Sequence, residues 1–244
     1  MRNIKVVVEY DGTDYFGFQK QPGMQTIQGK LESALTRIIK ETVAVCGAGR
    51  TDAGVHAHGQ VINFKAGGTI QTKKIVVALN SMLPKDIVAK DAVEAPDEFH
   101  SRYSAKSRVY KYVILNDEIP SAISARFVWC FPYKLDETVM NRAAEALLGV
   151  HDFTSFSAAG ADIPHRVREI KKLAVHRNGK HIIFDIEANA FLHSMARIIV
   201  GTLTDVGQGR LEPKDIARIL EAKDRRLAGK TAPPSGLSLM EVTY

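Results

Sequence analysis

Hydrophobic spacing in this chain switches between the strand period and the helix period in a fixed order, and then repeats that order. Residues 4–10, Ile-Lys-Val-Val-Val-Glu-Tyr, are β-rich and stop at Asp11-Gly12, which reads as a strand running into a turn. Ile27, Leu31, Leu35, Ile38 and Ile39 recur at helical spacing and predict a helix over 26–40. Residues 43–46 read as a short strand, 47–54 as a loop and 60–65 as a strand. A helix over 72–83, stopped by Pro84, and a strand over 87–94 complete a β-α-β-β-α-β series.

The second half follows the same plan. Residues 108–115 predict a strand, and 137–148 a helix with Asp136 as N-cap and Gly149 as its stop. Residues 168–177 and 180–188 form a hairpin across Asn178-Gly179, the strongest short-range turn signal in the chain. Helices over 191–206 and 213–222 and a strand over 237–243 close the series, with an insertion ahead of the hairpin. The expected fold is therefore α+β: two ferredoxin-like halves, 1–103 and 104–244, with antiparallel sheets and helices on one face. A cleft between such halves is the usual place for a site. The architecture names no function, because it hosts many.

Charge narrows the partners. The chain carries 33 Lys plus Arg against 27 Asp plus Glu, a net charge of +6, which suits a polyanion. Residues 100–112 hold no acid and three tyrosines, and residues 165–177 hold five Lys or Arg against Glu169 alone. Arg102, Lys106, Arg108, Lys111, Arg166, Arg168, Lys171 and Lys172 are the candidate RNA contacts in these stretches. Solvated strand faces would carry the same residues. No apolar run approaches the roughly 18 residues of a membrane helix, and Glu9 and Asp11 end the first apolar run too early for a signal peptide. Cys46 and Cys130 make no disulfide framework and no Cys-x-x-Cys, so buried thiols in a reducing cytoplasm are expected.

The densest segment is Gly47-Ala-Gly-Arg-Thr-Asp-Ala-Gly-Val-His-Ala-His58. Asp52 stands where a dinucleotide loop needs its third glycine, and Gly-Lys-Ser/Thr is missing, so neither nucleotide-cradling motif is present. His56-x-His58 lacks the further ligands of a metal site. Asp52 is open to two readings, a turn-stabilising side chain or, with Arg50, an ionised carboxylate on a loop that a substrate can approach. Arg197 is likewise either an ordinary exposed arginine or, with His193 and Gly201 at i−4 and i+4, part of a cleft wall. Gly201 would then be small because another backbone or ligand comes close. Tyr110 shares one side of its strand with Arg108, Tyr112 and Ile114, as a core residue or as a stacking platform.

Several of these segments together resemble the TruA family of bacterial tRNA pseudouridine synthases. They are Gln25-Thr-Ile-Gln-Gly-Lys-Leu-Glu-Ser-Ala-Leu35, Gly49-Arg-Thr-Asp-Ala-Gly-Val-His-Ala57, Phe99-His-Ser-Arg-Tyr-Ser-Ala105, Arg108-Val-Tyr-Lys-Tyr112, Gly149-Val-His-Asp-Phe153 and Phe191-Leu-His-Ser-Met-Ala-Arg-Ile-Ile-Val-Gly201. The tail Ala232-Pro-Pro-Ser-Gly-Leu-Ser-Leu239 fits as well, and Ser101, Ala196 and Pro234-Ser235 are the departures. The resemblance implies conversion of uridine to pseudouridine at positions 38–40 of the tRNA anticodon stem-loop, by a cytoplasmic homodimer, with no cofactor. It makes Asp52 the catalytic aspartate and Tyr110 the tyrosine that stacks on the target base. It makes Arg197 the arginine that pairs with the aspartate, and Arg50 the arginine that holds the flipped nucleotide. Two other classes share parts of this pattern. A non-catalytic RNA-binding protein of two ferredoxin-like units explains the basic stretches but not Arg50, Asp52, Tyr110 and Arg197 together. A nucleoside hydrolase using Asp52 would need a small pocket without basic surroundings.

Overall fold

The computed structural model describes residues 1–67, 70–158 and 165–244. In chain order the elements are β1 (Arg2–Tyr10), α1 (Ile27–Ile39), β2 (Cys46–Gly47), β3 (His56–Ala66), α2 (Thr72–Met82), β4 (Ile87–Ala95) and β5 (Ser107–Leu115). Then follow β6 (Trp129–Cys130), α3 (Glu137–Ala144), β7 (Gly149–Asp152), β8 (Val167–Asn178), β9 (His181–Ala188), α4 (Met195–Gly207), α5 (Asp215–Ala222) and β10 (Leu237–Thr243). The chain divides into two units, Met1–Lys106 with Ser238–Tyr244, and Ser107–Leu237. Both mix helices with largely antiparallel sheet, the α+β class expected.

In the first unit β1 lies antiparallel between β4 and β3, and β2 pairs antiparallel with the far side of β3. Alternation in β1 puts Ile4, Val6, Val8 and Tyr10 into the core with Ile62 and Phe64 of β3. Ile27, Leu31 and Leu35 of α1 and Ile75 and Leu79 of α2 are buried with them. Thr26 caps α1, its hydroxyl accepting from Gly29 N–H at 3.3 Å. The other sheet face holds Asn3 and Asn63, whose side chains are bonded to each other at 3.0 Å. Asn3 also donates to the carbonyls of Pro96 and Phe99, both at 2.8 Å, and Asn63 accepts from Ser101 N–H at 2.9 Å. These two amides fasten residues 96–101 onto the sheet.

Two first-unit strands depart from the sequence pattern for identifiable reasons. Residues 43–45 are not a strand because α1 side chains take their N–H groups: Val43 donates to Thr36 Oγ1 at 3.3 Å and Val45 to Glu32 Oε1 at 3.1 Å. The strand expected at 60 begins at His56, where Ser238 and Leu239 of β10 pair in parallel with His56 and Ala57. Gly59 admits that neighbour, since a Cβ there would lie 2.3 Å from the Met240 carbonyl oxygen. No local pattern reports such long-range pairing. The last strand, which the repeat assigns to the second half, thus belongs with the first unit.

In the second unit β9 lies antiparallel between β5 and β8, β7 pairs antiparallel with β8, and β6 adds two residues parallel to β5. The hairpin turn falls where Asn178-Gly179 puts it, with Gly179 at φ +58°. Asp136 caps α3 as expected, accepting from Thr138 and Val139 N–H at 3.0 Å each. Gly149 does not stop that helix. α3 ends at Ala144, a 3-10 turn follows over Glu145–Leu147, and Gly149 opens β7 at φ +91°. The expected helix over 191–206 starts at Met195, because Ser194 is left-handed at φ +56° and cannot continue a right-handed helix. Among the described residues, no helix is long and apolar enough to cross a membrane. Cys46 and Cys130 are free and half-buried rather than buried.

Candidate active site

The loop carrying Arg50 and Asp52 is tied down at every second or third residue. Upstream, Val45 is bracketed by α1: its N–H donates to Glu32 Oε1 at 3.1 Å and its carbonyl accepts from Gln28 Nε2 at 3.0 Å. Glu32 is buried, and its other oxygen meets Lys20 Nζ at 3.0 Å, so the carboxylate is fully used. Gln28 and Glu32 lie one helical turn apart on α1 and are bonded to each other at 2.9 Å. Ala48 N–H donates to the Val61 carbonyl at 2.8 Å. Gly49 is held on both sides by Gln60, whose amide accepts from its N–H at 3.3 Å and donates to its carbonyl at 2.7 Å. Thr51 Oγ1 lies 2.8 Å from the Tyr10 hydroxyl.

A second loop, 11–18, presses on the first. Phe18 N–H donates to the Thr51 carbonyl at 3.1 Å, and Gly54 N–H to the Tyr15 carbonyl at 3.3 Å. Gly17, at φ +82°, passes so close that a Cβ would lie 2.6 Å from the Thr51 carbonyl oxygen. Gly12 is tighter, since a Cβ there would lie 2.0 Å from the Val55 carbonyl oxygen. The Val55 N–H closes the turn on the Asp52 carbonyl at 3.2 Å. Asp52 is half-buried at the head of this turn, and Arg50 is exposed two residues before it. His56 is buried with Nδ1 3.1 Å from both Gly12 N–H and Asp11 Oδ1, so the ring anchors the turn's exit. Gln60, Tyr10, Gly17 and Glu32 were not readable as loop anchors from the sequence. A polar residue in a β-rich run was the available signal for Gln60.

Tyr110 and Arg197 belong to the second unit. Tyr110 is 6% exposed on β5 and meets Phe191 edge-on at 4.8 Å. Arg108, Tyr112 and Ile114 are buried with it, as the alternation of β5 requires. Arg197 is half-buried in the first turn of α4, which removes the reading of an ordinary exposed arginine. Its Nε donates to the Ala232 carbonyl at 2.8 Å, and its own carbonyl accepts from Ala232 N–H at 3.1 Å.

Around Arg197, residues 229–236 run as a strap across α4 and β5. Gly201 lets it pass: a Cβ there would sit 1.7 Å from the Lys230 carbonyl oxygen, so the close approach expected of this glycine is made by backbone. Tyr112 donates to the Pro233 carbonyl at 2.8 Å, and Gly236 lies against the Tyr112 ring. Burial pushes the Tyr112 phenol well above its ordinary value, against a smaller opposite pull from Arg197. His193 lies before the helix rather than on its face, so the expected trio reduces to Arg197 and Gly201.

The basic candidates divide by exposure. Arg102 and Lys106 in the first unit, and Lys171 and Lys172 in the second, are exposed. A bulge in β8 explains the lysine pair: Ile170 faces Ala188 and Lys172 faces Glu187, so one extra residue is accommodated and both lysines reach solvent. Lys111, Arg166 and Arg168 are half-buried. Arg108 is the buried one of the set: it is 8% exposed and donates to the Asn189 carbonyl at 2.7 Å. Of the three tyrosines in residues 100–112, only Tyr103 is displayed, 77% exposed with Arg102 at 5.8 Å from its ring centre. An open groove of about 760 Å³ is lined by residues 20–26, 29 and 30 and by none of the candidate site residues.

A half-buried carboxylate on a clamped turn, an exposed arginine two residues before it and a net charge of +6 suit the class of proteins that act on a polyanion. Comparison with known proteins gives the class its particular form. The family model described as tRNA pseudouridine synthase matches residues 6–104 and 143–244. A "tRNA pseudouridine synthase A" of Caldicellulosiruptor saccharolyticus is 49% identical over 244 residues, all of both chains. Proteins of the same name from Exiguobacterium sp. and Thermoanaerobacter sp. are 47% and 45% identical, each covering all of this chain and 98% and 100% of their own length. The chain belongs to the tRNA pseudouridine synthase family, as a full-length relative of its A-type members. That makes it an isomerase of tRNA uridine rather than a non-catalytic RNA-binding module or a nucleoside hydrolase.

Proposed function

We propose that this enzyme isomerises uridine to pseudouridine at positions 38–40 of the tRNA anticodon stem-loop, with Asp52 as the catalytic carboxylate. The observation that carries this reading is the Gly49–Ala57 motif itself, in which Asp52 heads a turn whose neighbours Gly49 and Thr51 are fixed by buried side chains. Breaking and remaking a glycosidic bond needs a carboxylate held in one geometry, because misplacement by about 1 Å costs on the order of 100-fold in rate. The reaction is an isomerisation, so no co-substrate is consumed. Arg50, exposed on the same loop, is suited to hold an extruded nucleotide, and Tyr110 and Arg197 serve as the family's active-site tyrosine and arginine.

A uridine in a stem must leave the stack before it reacts, at a cost of a few kcal/mol. Arg102, Lys106, Lys171 and Lys172 offset that cost through phosphate contacts, with Lys111, Arg166 and Arg168 in supporting positions. Recognition is mainly of RNA shape, since an A-form major groove is too narrow for side chains. The working unit is a homodimer in the cytoplasm. The strand order β4-β1-β3-β2 supports a ferredoxin-like reading of the N-terminal domain, which carries Arg50 and Asp52. The order β5-β9-β8 supports the same reading for the C-terminal domain, which carries Tyr110 and Arg197.

The test uses unmodified tRNA transcripts with a single anticodon-stem uridine at 38, 39 or 40, incubated with the enzyme and mapped for pseudouridine. Product at these positions and not elsewhere supports the reading. Product confined to another arm of the tRNA would refute the site assignment while leaving the reaction intact.

A further inference from the structure

Gln60 is fully buried in β3, yet it carries an amide that must be satisfied. It spends that amide on one residue. Its oxygen accepts from Gly49 N–H at 3.3 Å and its nitrogen donates to the Gly49 carbonyl at 2.7 Å, the pairing that a neighbouring strand would otherwise supply. The same nitrogen lies 3.5 Å from the Tyr10 hydroxyl, and that hydroxyl lies 2.8 Å from Thr51 Oγ1. Two side chains from two adjacent strands therefore grip the residues on either side of Arg50, and Thr51 directly precedes Asp52.

We propose that Gln60 and Tyr10 are positioning residues for Asp52: they fix Gly49 and Thr51, and through them the direction from which the carboxylate meets the substrate. The proposal rests on the reading of Asp52 as catalytic. Nothing in the packing alone demands this pair. A leucine would fill the place of Gln60 in a β-rich strand, and a phenylalanine would fill the place of Tyr10, at no loss of apolar contact. What either would lose is the hold on the loop. The Tyr10 phenol is pushed up to about 12, burial outweighing the opposite pull of its bonds to Thr51 and Gln60, so it stays a neutral hydroxyl at the pH of the reaction.

The experiment measures single-turnover pseudouridine formation at saturating tRNA, tRNA affinity and thermal unfolding. Its proteins are the wild type and the Asp52→Asn, Gln60→Leu, Gln60→Glu and Tyr10→Phe variants, each assayed well below its own unfolding temperature. Gln60→Leu is expected to slow the reaction about 100-fold and Tyr10→Phe roughly tenfold, both with tRNA affinity within about twofold of wild type. Gln60→Glu adds a readout that a purely structural role would not move. A protonated carboxyl both donates and accepts and can replace the amide, whereas an ionised one turns a second acceptor on the Gly49 carbonyl. The rate of Gln60→Glu relative to wild type should therefore rise as pH falls through the pKa of the introduced carboxyl.

Wild-type rates in both Gln60→Leu and Tyr10→Phe, with Asp52→Asn inactive, would overturn the positioning role and leave the catalytic reading standing. A flat ratio of Gln60→Glu to wild type across pH would also overturn it. Wild-type rate in Asp52→Asn would overturn both, since nothing would remain to be positioned. If Gln60→Leu does not fold, Tyr10→Phe decides alone: an unchanged rate constant refutes the proposal, and a reduced one at unchanged affinity supports it.

Discussion

The Asp52 loop and the surroundings of Arg197 are both tied down, the first by buried polar side chains as well as by backbone, the second chiefly by backbone. In the first unit the loop is gripped by polar side chains that reach it from the core: Glu32 and Gln28 at Val45, Gln60 at Gly49, Tyr10 at Thr51. In the second unit Arg197 is bonded to the backbone of a strap, which fits because Gly201 on α4 and Gly229 in the strap itself leave room for the close approach. Each solution has its own weakness. A side-chain grip fails by losing a hydrogen bond and leaving a buried group unpaired, at about 1–3 kcal/mol. A backbone grip fails by steric exclusion, where a single added methyl has nowhere to go.

That contrast can be broken most sharply at Gly201. Its Cβ would meet the Lys230 carbonyl oxygen at 1.7 Å, so Gly201→Ala must displace either the strap or α4. The expected cost is about 3 kcal/mol or more by urea unfolding, with loss of activity because Arg197 shares the strap. On the other side, Glu32→Ala strips the acceptor from Val45 N–H and the partner from Lys20. It should cost about 2 kcal/mol, read from the same unfolding curves. Equal tolerance at the two sites would mean that the strap and the clamp do not differ as described.

A smaller effect sharpens the comparison within the strap. Tyr112→Phe keeps the ring against Gly236 and removes only the bond to the Pro233 carbonyl. It should cost about 1 kcal/mol and leave activity near wild type, because backbone contact rather than this hydroxyl seats the strap. The smallest effect is a pH dependence at Asp152, elsewhere in the second unit. Burial raises the Asp152 pKa, but the Thr154 hydroxyl and N–H and the Lys223 ammonium outweigh it and hold the carboxyl below its ordinary value. A carboxyl depressed in the folded state adds stability that is complete above its unfolded pKa and is lost as pH falls through the folded one. The stability gap between wild type and Asp152→Asn should therefore close on acidification, and a gap independent of pH would contradict the assignment.

How much of this was legible beforehand follows from the range of each interaction. Elements set by their own residues are legible: α1 and the Asn178-Gly179 hairpin both depend on neighbours a few positions away. Residues 43–45 and the start of β3 depart from the local pattern because their partners are Thr36, Glu32 and the last strand. The Ser194 turn has no local signal at all, since serine seldom adopts that conformation. At the site, the Gly49–Ala57 segment points to Asp52 and Arg50 and Gly201 to a close approach, but nothing in the sequence points to Tyr10, and Gln60 shows only as a polar residue in a β-rich run. A buried polar anchor is recognisable only when the group it satisfies is known. Arg108 shows the converse: a basic residue in a basic stretch, turned inward to a carbonyl.

Asp52 is proposed to perform the reaction rather than to serve as a turn residue alone. The most direct measurement compares wild type with Asp52→Asn on one unmodified tRNA transcript, following pseudouridine formation and tRNA binding together. Product is expected from wild type alone, with both proteins binding the tRNA to within about twofold, since an amide of the same size keeps the turn while losing the charge. Pseudouridine formed by Asp52→Asn at the wild-type rate would contradict it.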